Sequence, residues 1–374
     1  MQAGGLGCDP GGMSRAGFPR PGIPGQASLT GRAGDTAGES HFAVRGLAAR
    51  SNRDPPRRLA AVRAATIRDG EIVVADHPDP EPGAGEVLVR VASAALNGAD
   101  LLQRKGRYPA PPGSPQDIPG LELAGTVAAL GPGATRFAVG DQVMGIVGGG
   151  GQAELAVVHE RQLMPVPEGL DLVVAGGVPE VFTTAHDAIF SQAGLRPGER
   201  LLVHGAAGGV GTAAIQLGRR TGARVTATVR NPDLRDAVAN LGAASVLDPE
   251  GFEEHGPFDV ILELVGAPNL GANVKALHTD GRIVVIGVGA GFKGELNLVA
   301  LMGKRGAIMG STLRARPLEE KALTARRMET EVLPGFTDGS LTVPVAATFA
   351  LDEVAAAYDR FAAGGKLGKI VVTF

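Results

Sequence analysis

Gly205-Ala206-Ala207-Gly208-Gly209-Val210-Gly211 carries the strongest chemical signal in this 374-residue chain. The apolar run Arg200-Leu201-Leu202-Val203-His204 precedes it, and Val210, Ala213, Ala214 and Leu217 recur after it at helical spacing. A strand that turns into a helix over so few residues needs a backbone without Cβ atoms. The same bare backbone lets a pyrophosphate approach its N–H groups, and the helix N-terminus adds partial positive charge. Within a strand–loop–helix–strand unit of about 30 residues, the glycines at 205, 208 and 211 predict a dinucleotide site along residues 205–211.

The next strand, Arg224-Val225-Thr226-Ala227-Thr228-Val229, says which dinucleotide to expect. An acid about 20 residues past the glycines would hold a ribose 2′-hydroxyl, as NAD sites do. This strand has none, and Arg230-Asn231 follows it. A guanidinium there meets a 2′-phosphate with a charge-assisted hydrogen bond, so the spacing favours NADPH.

The elements that must position this loop fall into two patterns. From Val62 to about Val181 short alternating runs dominate, such as Glu86–Val91, Leu123–Leu130 and Gln152–Val158, with turn signals at Gly131-Pro132-Gly133, Gly140-Asp141 and Gly148–Gly151. That spacing predicts a compact β-barrel. From about Thr183 strands alternate with helices, with later strands over Asp259–Val265 and Arg282–Val288, which predicts a doubly wound parallel sheet. Near the end, Asp352–Ala363 reads as a helix capped by Asp352 and stopped by Gly364-Gly365, and Lys369–Phe374 reads as a closing strand.

Composition excludes several classes. The net charge of −3 offers no basic field to nucleic acid or anionic lipid. Cys8 is the single cysteine, so neither an internal disulfide framework nor a cysteine-based zinc site can form. No run approaches the ~18 apolar residues of a membrane span, and no signal-peptide core is present, which together point to a cytoplasmic protein. Residues 1–61 are rich in Gly, Pro, Ala and Arg without period, so they are expected to be a disordered or artefactual N-terminal extension, with Val62 marking a potential alternative start.

Further motifs carry a family resemblance. They are Ala95-Leu96-Asn97-Gly98-Ala99-Asp100-Leu101-Leu102-Gln103-Arg104, Gly106-Arg107-Tyr108-Pro109, Pro119-Gly120-Leu121-Glu122, Gly149-Gly150-Gly151-Gln152-Ala153, the glycine loop through Gln216-Leu217, and Gly368-Lys369-Ile370-Val371. In this order they resemble the medium-chain dehydrogenase/reductase superfamily, and within it the zinc-independent quinone oxidoreductase (zeta-crystallin-like) branch. The resemblance implies a GroES-like catalytic domain over residues 62–181, a Rossmann domain over 182–315 and a return to the catalytic domain over 316–374. It also implies homodimers formed through the Rossmann domain.

The resemblance assigns site residues too. Tyr108 and Asn97 match residues near the nicotinamide and the acceptor, and Thr184 one that contacts the nicotinamide side. Leu264, Val265 and Gly266, with Gly287, Val288 and Gly289, lie at strand ends where open α/β sheets bind ligands. Lys369 is expected on the cofactor. Zinc-dependent members use Cys, His and usually Cys where this chain has Asn97, Leu121 and Glu180. Leucine cannot ligate zinc and an amide ligates it poorly, so no metal is expected. Glu180 reads equally as a remnant acid, a salt-bridge partner or a proton relay. The implied activity is NADPH-dependent hydride transfer to a quinone or another small electron-poor acceptor. Reduction of an enone or enal C=C bond is the alternative, and a non-catalytic NADPH-binding regulatory protein is a third reading from another class.

Overall fold

The computed structural model describes residues 61–374. The extension expected over residues 1–61 lies outside them, apart from Ala61.

The first described strands, β1 (Ala61–Arg68) and β2 (Glu71–Pro78), form a hairpin. Its two-residue turn is Asp69-Gly70, both at positive φ. Paired left-handed residues match the twist of the flanking strands, which is why an Asp-Gly pair turns here. The strands β3 (Glu86–Ala95), β4 (Glu122–Leu130), β5 (Gln142–Ile146), β6 (Leu155–His159) and β7 (Leu163–Pro165) pair antiparallel. Alternate residues of β3 (Val87, Val89, Val91) point inward onto Leu123, Val127, Val143 and Val158. The strand expected over Gln152–Val158 forms only from Leu155, because Gln152 is held at the loop by its backbone bond to Pro119.

A second sheet follows, made of β8 (Arg200–Val203), β9 (Arg224–Thr228), β10 (Ser245–Leu247), β11 (Phe258–Glu263), β12 (Leu277–Val285) and β13 (Ala307–Gly310). Its order is β10-β9-β8-β11-β12-β13, and every neighbouring pair is parallel. This is the 3-2-1-4-5-6 order of a Rossmann sheet. The middles of the central strands, Leu201–Val203 and Val260–Leu262, are apolar and fully buried, as burial on both faces demands.

The chain then returns to the first sheet. Strands β14 (Val345–Ala350) and β15 (Lys369–Thr373) pair parallel, and β15 lies antiparallel against β3. The two sheets therefore belong to a GroES-like unit, completed by the C-terminal strands, and a Rossmann unit inserted within it.

Four helices matter for the site: α1 (Gly98–Arg104), α2 (Leu172–Ala175), α3 (Pro179–His186) and α4 (Gly209–Thr221). Helix α3 packs on α4, and Val181, Phe182 and Ala185 join Ala213, Ala214 and Leu217 in one core. The helix expected over Asp352–Ala363 is present as Val354–Ala362 after a short 3₁₀ turn, and Gly364 and Gly365 end it in left-handed conformations. Asp352 does not cap it. Its carboxylate reaches Arg63 instead, and Glu353 accepts the Ala350 N–H.

Candidate functional site

A groove of about 400 Å³ opens at the C-terminal ends of β8, β9, β11 and β12. That is where the strand order reverses, and where open α/β sheets bind ligands. Gly205 and Ala207 line it from the glycine loop, and Thr228 to Asn231 from the end of β9. Leu264 and Val265 follow β11, and Gly289 and Ala290 follow β12. Gly365 and Lys366 close it from the C-terminal segment, whose Gly368 N–H donates to Ala207 O at 2.8 Å.

The glycines do separate jobs. Gly205 adopts φ +59°, a conformation that favours glycine. Gly208 is the N-cap residue of α4. A Cβ on Gly209 would stand 2.7 Å from Val181 and 2.8 Å from the Lys369 stem. One on Gly211 would stand 2.6 Å from the Ala206 Cα. The first bond of α4 runs from Thr212 N–H to Gly208 O, and Gly208 bridges Gly368 in parallel, so among the described residues the N–H groups of Val210 and Gly211 have no acceptor. A helix start with free donors beside a bare loop suits an anion. Ala206 is fully buried, its N–H on Thr228 O, and serves the loop rather than its surface.

The groove is electrostatically one-sided. Among the described residues, Arg230 and Lys366 are its only charged lining residues, and no carboxylate lines it. Arg230 is exposed and makes no ion pair among the described residues. Burial, then repulsion from Lys369 and Arg360, pushes the Lys366 ammonium down to about 8. The Asn231 side chain accepts from the Asp233 N–H, which fixes the turn after β9. Pro249 also lines the wall there.

Beneath the groove, Glu263 organises two of its walls. Its Oε1 accepts the N–H groups of Val265 and Gly266 at 2.6 and 2.8 Å, and its backbone oxygen accepts those of Ile286 and Gly287. Its Oε2 accepts from Asn273, whose Oδ1 bonds the buried His204, and the other ring nitrogen of His204 meets Thr228. Burial holds His204 below its usual value, so the ring is a neutral strut.

A second constellation sits where the first sheet meets the glycine loop. Lys369, 2% exposed, donates to Leu96 O at 2.9 Å and Asn97 Oδ1 at 2.6 Å, and its Nζ stands 2.7 Å from Glu122 Oε1. Asn97 Nδ2 donates to Ala95 O and to Glu122, and Glu122 Oε2 accepts the Glu180 N–H at 2.8 Å. Asp100 is fully buried and accepts the N–H groups of Asn97 and Gly120. Burial pushes its carboxyl up to about 6 despite those bonds. Arg314 donates to Gly148 O, Tyr108 O and Gln103 Oε1, and its guanidinium lies 4.9 Å over the Tyr108 ring.

The expected site residues thus divide. Gly205, Ala207, Arg230, Asn231, Leu264, Val265 and Gly289 meet in one groove. Gly266 and Val288 do not. They line a neighbouring cavity with Phe292, because the turns after β11 and β12 fold over each other, Gly266 against Val288. Gly287 packs on Leu264 O. Lys369 is also displaced from its expected role: its ammonium is spent inside the protein, and Lys366 is the cation in the groove. Asn97 has both amide ends bonded in the buried network, so it holds Lys369 and Glu122 rather than an acceptor. Tyr108 is half-buried, its hydroxyl 3.2 Å from Thr312. Thr184 is no helix cap. It lies inside α3, with a buried hydroxyl that has no partner among the described residues.

Two family models match the chain, the alcohol dehydrogenase GroES-like domain over residues 83–168 and the zinc-binding dehydrogenase domain over 209–328. The quinone oxidoreductase of Rattus norvegicus is 30% identical over 304 residues, covering 78% of this chain and 90% of the relative. This chain belongs to the medium-chain dehydrogenase/reductase superfamily. An alcohol dehydrogenase superfamily protein from Novosphingobium aromaticivorans superposes with a TM-score of 0.74 at 30% identity, covering 84% of this chain and 99% of that one. Mycobacterial Rv1454c, solved in complex with NADPH, superposes with a TM-score of 0.74 at 26% identity, covering 84% and 100%. As a member of the superfamily, the protein is an oxidoreductase that uses a nicotinamide cofactor.

The groove fits such a cofactor. Its loop accommodates a close-lying pyrophosphate, its charge is cationic, and Thr184 offers an unpaired hydroxyl. The zinc named by one family model fits poorly. At the corresponding positions stand buried Leu121, an amide already bonded three times, and Glu180, with the Lys369 ammonium beside them. Among the described residues no three His, Cys, Asp or Glu side chains are grouped to hold a metal ion. No described helix is long and apolar enough to cross a membrane.

Proposed function

We propose that this oxidoreductase is a zinc-independent, NADPH-dependent reductase whose acceptor is a quinone or a similarly small electron-poor molecule. The groove charge carries the cofactor choice. Arg230 and Lys366 face it, and the end of β9 supplies Thr228 and Asn231 where a ribose-binding carboxylate would stand. Arg230 would meet the 2′-phosphate and Lys366 the phosphates nearer Ala207. Thr184 would hold the nicotinamide amide. When bound, the cofactor supplies a hydride from its ring C4. The chain's own residues orient that ring and exclude water, with Tyr108 at the acceptor side.

A quinone suits a site without zinc, because its electron-poor ring takes a hydride without a Lewis acid on its oxygen. Reduction of an activated C=C bond is the second reading, favoured by the Tyr108 hydroxyl as a proton source. We further propose a cytoplasmic homodimer. The single cysteine gives no disulfide framework, and β13 leaves a sheet edge open beside the exposed apolar residues Leu298, Val299 and Met302.

The deciding experiment titrates NADPH and NADH into purified protein by fluorescence, then follows NADPH oxidation with a naphthoquinone and with a short enal. Tight NADPH binding and faster turnover of the quinone are expected, without stoichiometric zinc and at dimer mass in sedimentation. Saturating NADPH without any change in fluorescence or thermal stability would sink the reading.

A further inference from the structure

Helix α3 carries three side-chain oxygens that no described residue pairs. Among the described residues, Glu180 Oε2, Thr183 Oγ1 and Thr184 Oγ1 are each buried without a hydrogen-bond partner. At positions i, i+3 and i+4 they share one face of the helix. Buried polar atoms are almost always bonded, so such orphans mark a place where a ligand completes the bonding. Thr183 borders a void of only about 10 Å³ beside Lys321 and Thr324, which leaves Glu180 and Thr184, one turn apart, for a ligand. Glu180 itself is only half-buried as a residue, so its side chain also borders open space.

The surroundings decide the charge of Glu180. Three carboxyls meet here, Asp100, Glu122 and Glu180, against two cations, Lys369 and Arg314. Lys369 is bonded to Glu122, and Arg314 gives its donors to two backbone oxygens and Gln103. Asp100 takes two backbone N–H groups. Glu122 takes the Glu180 backbone N–H as well. Among the described residues Glu180 is the carboxyl left without a donor. A carboxylate so placed would be costly, so the group keeps its proton. Burial first, then repulsion from Glu122 and Asp100 against attraction from Lys369 and Arg314, pushes it up to about 8.

We propose that Glu180 is the proton donor of the reaction, a neutral carboxylic acid whose unpaired oxygen meets the oxygen of the acceptor. This rests on the reductase reading above. The acceptor gains a hydride from the reduced nicotinamide, which leaves as its oxidised cation. The acceptor oxyanion then takes the Glu180 proton, so one O–H bond forms and one breaks. The new carboxylate is stabilised by Lys369 and Arg314 and regains a proton from water. The assignment also narrows the acceptor to molecules with a carbonyl-type oxygen, quinones and enones alike.

Glu180→Gln keeps the shape and removes the acid. Its kcat should fall roughly 100-fold, the ordinary worth of a general acid. Its NADPH affinity should hold within about twofold, because only transition-state stabilisation is lost. Wild-type kcat should decline as pH rises through about 8, and that limb should vanish in the variant. Glu180→Asp should recover part of the loss that Gln does not. Difference infrared spectroscopy of cofactor-free protein should show a carboxylic acid band at pH 7 that is absent in Glu180→Gln and that shifts when a naphthoquinone binds.

Folding is checked by melting. An unfolded glutamate ionises near 4.5 and this one near 8, so wild type loses stability as pH rises between them. The Gln variant lacks that loss and should melt above wild type at pH 8. Wild-type kcat and pH profile in Glu180→Gln, or no Glu180 acid band at pH 7, would overturn the proposal. If wild type reduces no acceptor, the reductase reading fails by itself. A band that ignores naphthoquinone then overturns the donor assignment separately.

Discussion

The groove at the strand ends and the buried charge cluster are separated by little more than the glycine loop, yet they treat charge in opposite ways. The groove leaves two cations, Arg230 and Lys366, without a carboxylate beside them. The cluster pairs its charges tightly, Lys369 with Glu122 and Asp100 with two backbone donors, and leaves one acid over. Unmatched positive charge on a bare backbone suits a polyanion that arrives and leaves. Matched charge in the interior holds geometry, and removing one partner of such a pair costs about 3–5 kcal/mol. One side is built to bind and the other to stay put, apart from Glu180.

The comparison breaks most readily at the loop between them. In Gly211→Val the new Cβ would stand 2.6 Å from the Ala206 Cα and 2.7 Å from the Gly205 oxygen, both backbone. Neither gives way cheaply, so α4 must move off the loop that precedes it. NADPH binding should weaken by more than about 100-fold, with stability down by about 1–3 kcal/mol as overpacking usually costs. Isothermal titration and thermal melting read the two effects. Tight binding in this variant would mean that the cofactor does not lie along 205–211.

Arg230→Ala tests the open side alone. Losing a hydrogen bond to a charged group costs about 1.5–3 kcal/mol, or roughly 10–100-fold in affinity. NADPH should weaken by that factor and NADH hardly at all, and the NADPH preference should shrink at high salt, as exposed charge pairs do. Equal losses for both cofactors would make Arg230 a general surface cation and remove the argument for NADPH.

The two regions also differ in how far they could be read beforehand. The groove is mostly backbone, and its loop, helix start and second strand follow one another between residues 200 and 231. Local glycine spacing and the missing acid after β9 are therefore visible in the chain itself. The cluster draws on residues 97, 100, 122, 180, 314 and 369. Antiparallel pairing of β3 with β4 and β15 brings most of them together, setting Val371 opposite Ala95 and Leu96 against Ile370. No local pattern encodes that meeting. The chain alone therefore cannot tell Lys369, bonded in the cluster, from Lys366, three residues earlier, which reaches the groove only because the C-terminal segment folds against Ala207. Asp352 shows the same limit at smaller scale, since a cap motif says nothing of Arg63 nearly 300 residues away.

The smallest expected effect separates the two regions by pH. Lys366 and Glu180 both titrate near 8, one in the groove and one in the cluster. Lys366 aids binding only while protonated, so its contribution is present below pH 8 and fades above it. The NADPH dissociation constant, measured without acceptor, should therefore rise roughly fivefold between pH 7 and 9, about 1 kcal/mol for one partly shielded charge. Lys366→Met should show the weaker value at both pH values and no slope between them. The kcat at saturating NADPH should keep its own decline in Lys366→Met, because that decline belongs to Glu180. A single variant that flattened both profiles would show one titrating group acting across the loop, and the division between a binding side and a holding side would fall.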